Sequence, residues 1–202
     1  MTIASPTDHE QDQRARLEGI VAANPLFAPF LARWSSIALP DCWLSGSTMA
    51  QTGWNLRLGL PPAHGLADID LVHFDAADLS HEGEAREAQR IRALFADVPL
   101  RIDIKNQARV HLWYAGTFGN PIPPYRSIAH AIATLPTTAS AVAIRPAADG
   151  LAVLAPFGLT DLLDCLVRPN KAQITRILYE AKVAKWRTRW PGLTVLDWDE
   201  AA

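Results

Sequence analysis

The stretch GLADIDLVHFD, residues 65–75, places two aspartates, Asp68 and Asp70, at the start of an otherwise apolar run. Successive side chains of a β-strand project to opposite faces, so the two carboxylates would share one face while Ile69 and Leu71 point to the other. Two ionised carboxylates about 5 Å apart repel by roughly 3 kcal/mol at an effective dielectric constant near 20. The run therefore predicts a strand whose acidic face either meets a divalent cation or is screened by water at a solvated strand end.

A third acid follows in RIDIKNQARVHLW, residues 101–113, where Asp103 lies in a predicted strand between two core-facing isoleucines. If this strand pairs beside the first, three carboxylates converge at one place. Arg101 and Lys105 flank Asp103 two residues away on either side and share its face, so a structural salt bridge explains this acid equally well.

A glycine followed by hydroxyl residues precedes the acids, at a predicted turn from strand to helix. Gly46 would allow a close backbone approach, and the N–H groups at a helix start bind phosphate, helped here by the hydroxyls of Ser47 and Thr48. An ordinary serine N-cap after a glycine turn is the alternative interpretation. No P-loop motif and no Gly-rich dinucleotide motif occurs in the sequence.

Composition indicates a globular chain and names no partner. The 202 residues are 49% hydrophobic and 20% charged, and the formal net charge of −2 requires any attraction for polyanions to come from local patches. No apolar run reaches the length of a membrane span and no signal peptide is evident, so we expect a cytoplasmic protein with no membrane partner. Cys42 and Cys165 are too few for a disulfide framework, and no histidine spacing indicates zinc.

Hydrophobic periodicity predicts alternating strands and helices followed by a hairpin through Asp149-Gly150. Asn24-Pro25 is expected to start a second helix, and the chain from about Thr160 to Trp190-Pro191 is expected to be helical. The apolar stripe of that last helix is predicted at Ile174, Ile177, Leu178 and Ala181. We therefore expect an α/β (α+β) fold, a mixed β-sheet flanked by helices, with helical additions at both ends. It would form a single domain over residues 1–202, with its core at about 40–155 and a helical part at about 160–191.

The order of strand, Gly-Ser, helix, Asp-x-Asp strand and third Asp resembles the nucleotidyltransferase superfamily that includes DNA polymerase β. The segments WLSGSTMAQTGWN, DIDLVHFD, KNQARVHLWY and APFGLTDLLDCLVRPN are more closely similar to a bacterial family of uncharacterised nucleotidyltransferase-like proteins, over about residues 40–191. The resemblance implies that Gly46 and Ser47 hold the phosphates of a nucleoside triphosphate. It also implies that Asp68 and Asp70 bind two metal ions, Mg²⁺ or Mn²⁺, and that Asp103 is the third acid, as general base or as a ligand.

Further polar residues are candidates for phosphate or acceptor contacts, with a surface charge or a helix cap as the alternative for each. They are Lys105, Arg109, His111, Arg168, Asn170 and Lys171. The segment KVAKWRTRWP, residues 182–191, mixes cations and tryptophans as nucleic-acid surfaces do, but a helix with packed tryptophans and a solvated basic face is the commoner case. Nucleic acid is therefore not the expected partner.

The sequence thus predicts a metal-dependent enzyme that moves a nucleoside monophosphate from a triphosphate to an unknown acceptor and releases pyrophosphate. Two alternatives stay open at this point. One is a non-catalytic nucleotide-binding sensor or regulatory protein, and the other is metal-dependent hydrolysis of a phosphoester.

Overall fold

A mixed β-sheet organises the chain in the computed structural model, which describes residues 7–200. Its strands are β1 (Trp43–Ser45), β2 (Asp68–His73), β3 (Arg101–Asn106), β4 (Ala143–Ala147) and β5 (Gly150–Leu154). They lie in the order β3-β2-β1-β4-β5, in which β2 and β3 are parallel and the other neighbours are antiparallel. Two short strands, β6 (Leu166–Val167) and β7 (Thr194–Val195), form a separate parallel pair.

Helices flank the sheet, as the sequence predicts. They are α1 (Asp8–Ala23), α2 (Ala28–Ala32), α3 (Trp34–Ile37), α4 (Ser47–Arg57), α5 (His81–Leu94), α6 (Tyr114–Phe118), α7 (Ile128–Ile132), α8 (Thr160–Leu163) and α9 (Arg176–Arg189). Short 3-10 helices cover Gln107–Leu112 and Thr138–Ser140. Of the helices in the described range, none has the length and apolar character that a bilayer crossing requires.

The two faces of β2 are covered differently, and this difference exposes the acids. Ile69 and Leu71 are fully buried in the main core. On the opposite face, Val72 packs in a second, smaller cluster with Trp43 and Ile128 of α7. That cluster covers the end of the strand that follows the acids, so the part of this face around Asp68 and Asp70 is only partly covered. The alternation of apolar and acidic residues in β2 therefore orients the carboxylates as predicted.

The predicted hairpin of β4 and β5 is confirmed. Its two turn residues are Ala148 and Asp149, and Gly150, the first residue of β5, pairs with Ala147 and has a positive φ of 108°. Ser80 caps α5, where its hydroxyl accepts a hydrogen bond from the N–H of Gly83. Both cysteines are free and buried.

The predicted start of the second helix at Asn24-Pro25 is wrong. Asn24 instead ends α1, and its side chain accepts a hydrogen bond from the Leu26 N–H and donates one to Thr52. The helical turn resumes only at α2, which has Pro29 in its first turn. Proline has no N–H and is tolerated in the first turn of a helix. In a helix that began at residue 25, Pro29 would be the fifth residue and would lack the N–H for a backbone hydrogen bond.

The prediction of one helix from about Thr160 is also wrong. α8 ends after one turn because Cys165 takes a left-handed conformation, with φ of 57°, and the chain then forms β6. Pro169 disfavours helical geometry for Arg168, the residue before it. The long helix α9 begins only after Thr175, whose hydroxyl caps it.

The predicted apolar stripe is right in part, since Ile174, just before α9, is buried and Leu178 packs against the core. Ile177 is 78% exposed and Ala181 is exposed, whereas Tyr179, Val183 and Trp186 are buried. The helix is rotated so that its large aromatic residues face the core, because they remove more apolar surface from water than Ile177 and Ala181 would. This rotation turns a basic face of α9 toward the acids of the sheet.

Candidate active site

The register of the sheet sets the acids side by side. Asp70 lies opposite Ser45 of β1 on one side and opposite Asp103 of β3 on the other. Asp68 lies opposite Arg101 in the same ladder. Because residues in register share a face, the three predicted carboxylates project to the same side of the sheet. The structure therefore brings Asp68, Asp70 and Asp103 together.

Asp70 is the most strongly perturbed of the three acids. Burial, reinforced by the negative charges of Asp68 and Asp103, raises the pKa of Asp70 to about 7. Lys182 and Arg101 act in the opposite direction but do not compensate. A carboxylate with such a pKa is poised for a divalent cation or for proton transfer, which is the situation typical of functional sites.

Gly46 provides the close approach that the sequence predicts. It lies between β1 and α4 with φ of 83°, a conformation that favours glycine. A Cβ atom at this position would come within 2.5 Å of the Asp70 carboxylate oxygen Oδ2. The Asp70 side chain is therefore held directly against the backbone at the start of α4, where the first N–H groups have no partner within the helix.

The two hydroxyl residues after Gly46 have different surroundings. Ser47 is partly exposed and lines a cleft described below. The Thr48 hydroxyl is buried and donates a hydrogen bond of 3.0 Å to the backbone carbonyl of Asp68, which ties α4 to the start of β2. Thr48, predicted to contact phosphate, thus holds the acidic strand in place and does not face the cleft.

Two cations from β3 contact the acids. Arg101 donates a hydrogen bond of 2.9 Å to Asp68 and lies 3.8 Å from Asp103. Lys105 lies 3.7 Å from Asp103 on the other side. The hydrogen bond to Asp68 and the charge of Asp103 raise the pKa of the Arg101 guanidinium. The salt bridge that was the alternative explanation for Asp103 is therefore present together with the convergence of the acids.

The three carboxylates are suitable ligands for a hard divalent cation, but Arg101 and Lys105 already contact two of them. Carboxylate oxygens are the ligands that Mg²⁺ and Mn²⁺ prefer. Gly46 has no side chain, so its backbone can lie close to the Asp70 carboxylate. Within residues 7–200, however, no group of three or more His, Cys, Asp or Glu side chains is already arranged to hold a metal ion. Arg101 stands between two of the three carboxylates instead.

A cleft of about 550 Å³ opens next to the acids, between β3, the start of α4 and helix α9. Ser47 and Lys105 connect it to the acidic corner, although none of the three acids is among the residues that line it. Its cationic wall is formed by Lys105, Lys182, Lys185 and Arg189, and its aromatic wall by Trp113, Tyr114, Phe118 and Tyr125. This volume is that of a pocket for one small molecule.

Lys182 is the cation of α9 most closely coupled to the acids. Burial lowers the pKa of its ammonium group, while the charges of Asp70 and Asp68 act to raise it. The ammonium lies 4.7 Å from the centre of the Trp186 ring, which packs in the core beneath it. Lys182 is therefore fixed over an aromatic face beside the carboxylates.

The sequence interpretation missed this role of α9. Lys182, Lys185 and Arg189 recur at intervals of three and four residues, which places them on one helix face, and this spacing was the available signal. The tryptophans pack as expected, with Trp186 and Trp190 buried. The basic face lines the cleft, however, and is not simply solvated.

Arg109, predicted to bind nucleotide, lies outside the site. Its side chain is buried and forms an ion pair with Glu84 of α5 at 2.6 Å. It also donates to the backbone carbonyl of Leu79. These contacts fix the segment after β3 to α5, so Arg109 is a structural residue.

Most of the remaining candidates also have structural surroundings. Arg168 pairs with Asp161 at 3.1 Å, and Asn170 is buried with its amide donating to the carbonyls of Ala133 and Leu135. The Lys171 ammonium lies 5.5 Å from the Trp198 ring. The remaining candidate, His111, has its Nδ1 buried without a hydrogen-bond partner in the described part of the chain.

Fold and site together define a protein of the nucleotidyltransferase class. Residues 32–195 match the sequence profile of a nucleotidyltransferase family, and the chain belongs to that family. Among solved structures it is similar to an NMR structure described as a CCA-adding enzyme head domain, with a TM-score of 0.73 and 25% sequence identity. The match covers 91% of this chain and 95% of that one. The search of curated proteins finds no match. The predicted family and fold are therefore confirmed.

Proposed function

We propose that the protein transfers a nucleoside monophosphate from a nucleoside triphosphate to an acceptor and releases pyrophosphate. The observation that carries this proposal is the row formed by Ser45, Asp70 and Asp103 across three strands, with Gly46 held against the Asp70 carboxylate. This row sets a cluster of carboxylates beside the N-terminus of α4, a combination that suits the phosphates of a nucleotide.

Asp68, Asp70 and Asp103 are the residues that would hold Mg²⁺ or Mn²⁺. When bound, the metal would neutralise charge on the phosphates and lower the pKa of an acceptor hydroxyl. Asp103 is partly buried and lies in register with Asp70, a position suited either to a ligand or to a general base for the acceptor.

The phosphates would be held by groups that surround the acids. The N–H groups at the start of α4 and the Ser47 hydroxyl can donate hydrogen bonds to them. Lys105, Lys182 and Lys185 line the same cleft and would balance the negative charge. Because Lys182 rests on the Trp186 ring, its position costs little conformational entropy when a ligand binds.

The size and lining of the cleft indicate which class of acceptor it could bind. A volume of about 550 Å³ with cations at one side and aromatic rings at the other suits a small molecule with an anionic group and a planar ring. The net charge of −2 provides no general attraction for nucleic acid.

A second function, binding of the nucleotide without turnover, has one observation in its favour. Arg101 and Lys105 both lie within 4 Å of Asp103 and could keep it from acting as a base. Such a protein would serve as a nucleotide sensor or as part of a regulatory pair. Hydrolysis of a phosphoester by the same site is a third outcome.

One incubation separates the three functions. The protein is mixed with each nucleoside triphosphate, Mg²⁺ or Mn²⁺ and a mixture of small hydroxyl and amine acceptors, and the products are separated. Pyrophosphate together with a nucleotidylated acceptor supports transfer, and orthophosphate indicates hydrolysis. Saturable binding of the triphosphate without any product would overturn transfer and support the sensor.

A further inference from the structure

Arg101 has the position of a cation held by two of the three acids. Its guanidinium is 2.9 Å from an Asp68 oxygen and 3.8 Å from an Asp103 oxygen. Asp70 lies between these two acids in the sheet, since it follows Asp68 by two residues on β2 and faces Asp103 across the ladder. We call these two contacts the Arg101 bridge.

We propose that the Arg101 bridge is an internal stand-in for the divalent cation and that Arg101 has to leave Asp68 before a metal ion can bind. The inference rests on the proposed function, because it assumes that the three carboxylates are the metal ligands. It explains why the acids converge on one face although no group of them in the described chain is arranged to hold a metal ion.

The geometry allows Arg101 to leave. Its side chain is 63% exposed, whereas the side chains of Asp68 and Asp103 are 27% and 18% exposed. Arg101 is also the first residue of β3, an edge strand of the sheet. A long, exposed arginine gives up a surface ion pair at small cost, while the more buried carboxylates stay in place to accept another cation.

Lys105 provides a comparison at a similar distance from Asp103, because it also lies on the acidic face of β3 and contacts Asp103 at 3.7 Å but not Asp68. Because the two cations lie at similar distances from Asp103, an effect of positive charge that acts through Asp103 alone would be similar for both. If Arg101 has to leave two metal ligands before the metal ion binds, its removal is expected to raise the metal affinity more than removal of Lys105. The two residues therefore separate displacement from a field effect on Asp103.

The test measures Mn²⁺ binding to the nucleotide-free protein by titration calorimetry, with no requirement for catalysis. Arg101→Gln is expected to bind Mn²⁺ about five- to tenfold more tightly than the wild type, and Lys105→Gln about twofold at most. Arg86→Gln, which removes a similarly exposed arginine from Asp78 elsewhere on the surface, is expected to leave the affinity unchanged. Thermal unfolding of each variant checks that it is folded.

Two results would overturn the proposal. One is an equal gain in Arg101→Gln and Lys105→Gln, which indicates a field effect, and the other is no gain in either. In a second measurement, the side-chain Nε–Hε NMR signal of Arg101, assigned by its absence from Arg101→Gln, is expected to shift when Mg²⁺ is added. A signal that stays in place contradicts displacement.

Asp70→Asn distinguishes failure of this inference from failure of the proposed function. If Asp70→Asn abolishes Mn²⁺ binding while Arg101→Gln binds as the wild type does, the carboxylates are the metal site and only the Arg101 bridge is wrong. If Mn²⁺ binding is insensitive to Asp70→Asn, or absent from every variant, the metal assignment fails and this inference fails with it.

Discussion

The two ends of β2 and β3 carry polar residues of opposite character. At the far end, the Asn106 amide donates to the carbonyls of Asp75 and Asp78, and its oxygen accepts from the Asp75 N–H. Glu84 accepts from the Asn106 N–H and pairs with the buried Arg109. Each of these groups has a partner of the opposite kind, as is usual for buried polar groups, whereas both ring nitrogens of the neighbouring His73 are buried without one in the described part of the chain.

At the acidic end, like charges face one another. Asp70 lies beside Asp68 and Asp103, and burial of its carboxyl group, followed by the charges of these two acids, raises its pKa to about 7. The compensating cations are longer-range or exposed, as Arg101 is. The comparison indicates that hydrogen bonds stabilise one end of this pair of strands, whereas the acids at the other end lack close partners for part of their charge and are available to a ligand.

The largest expected effect comes from neutralising the central acid. Asp70→Asn should lower the rate of pyrophosphate release at least about 1,000-fold, because it removes one ligand from the site where charge develops. The rate is measured with the triphosphate that gives product in the wild type. Asp75→Asn, at the opposite end of β2, is the control and should retain wild-type activity. Wild-type turnover in Asp70→Asn would refute the assignment of the active site.

The next effect acts on stability at the far end. Glu84→Ala should lower the free energy of unfolding by about 3 kcal/mol, because it leaves the Arg109 guanidinium buried without its partner. The double variant Glu84→Ala/Arg109→Met should recover part of that loss in urea unfolding. Activity per folded molecule should not change. A loss of turnover without a loss of stability would contradict the division between the two ends.

The smallest effect is a pH dependence at the acidic end. The folded-state pKa of Asp70, about 7, lies above its ordinary value of 3.8, so its contribution to stability is present below pH 3.8 and is lost as the pH rises through 7. In metal-free buffer, Asp70→Asn should therefore unfold like the wild type near pH 4. It should be more stable by about 2 kcal/mol at pH 8, roughly half of the ~4 kcal/mol that a pKa raised from 3.8 to about 7 represents.

Urea unfolding of both proteins from pH 4 to pH 8 measures this difference. Taking the difference between the two proteins removes the contributions of other groups. Among these is His73, whose pKa is lowered by burial and whose protonation destabilises the fold as the pH falls below 6.5. A difference that does not vary with pH would show that Asp70 is not under electrostatic strain.

Sequence reasoning succeeded where the determinants are local. The Asp-x-Asp alternation fixed the face of Asp68 and Asp70, and the glycine before Ser47 marked the turn that Asp70 packs against. It failed where one side chain has a choice of distant partners. Arg109 was expected to bind nucleotide, but it pairs with Glu84, 25 residues earlier, and no local pattern ranks those two partners.

The cleft could not be predicted for the same reason. Its cationic wall combines Lys105 of β3 with Lys182 of α9, and the rotation of α9 depends on how Tyr179, Val183 and Trp186 fill the core. The apolar stripe predicted from Ile177 was wrong because an exposed isoleucine costs less than an exposed tryptophan. The site thus became visible only once the packing of the last helix was known.

The parallel pairing of β2 with β3 has a consequence for the evolution and engineering of this protein. A slip of one residue between the strands would carry Asp70 out of line with Asp103. What prevents the slip is the interlocking of Ile69 with Ile102 and of Leu71 with Ile104 on the hidden side of the sheet. These buried apolar side chains set the register of the two strands. A change in their shape is therefore expected to separate Asp70 from Asp103 and lower activity, although no charged residue is changed.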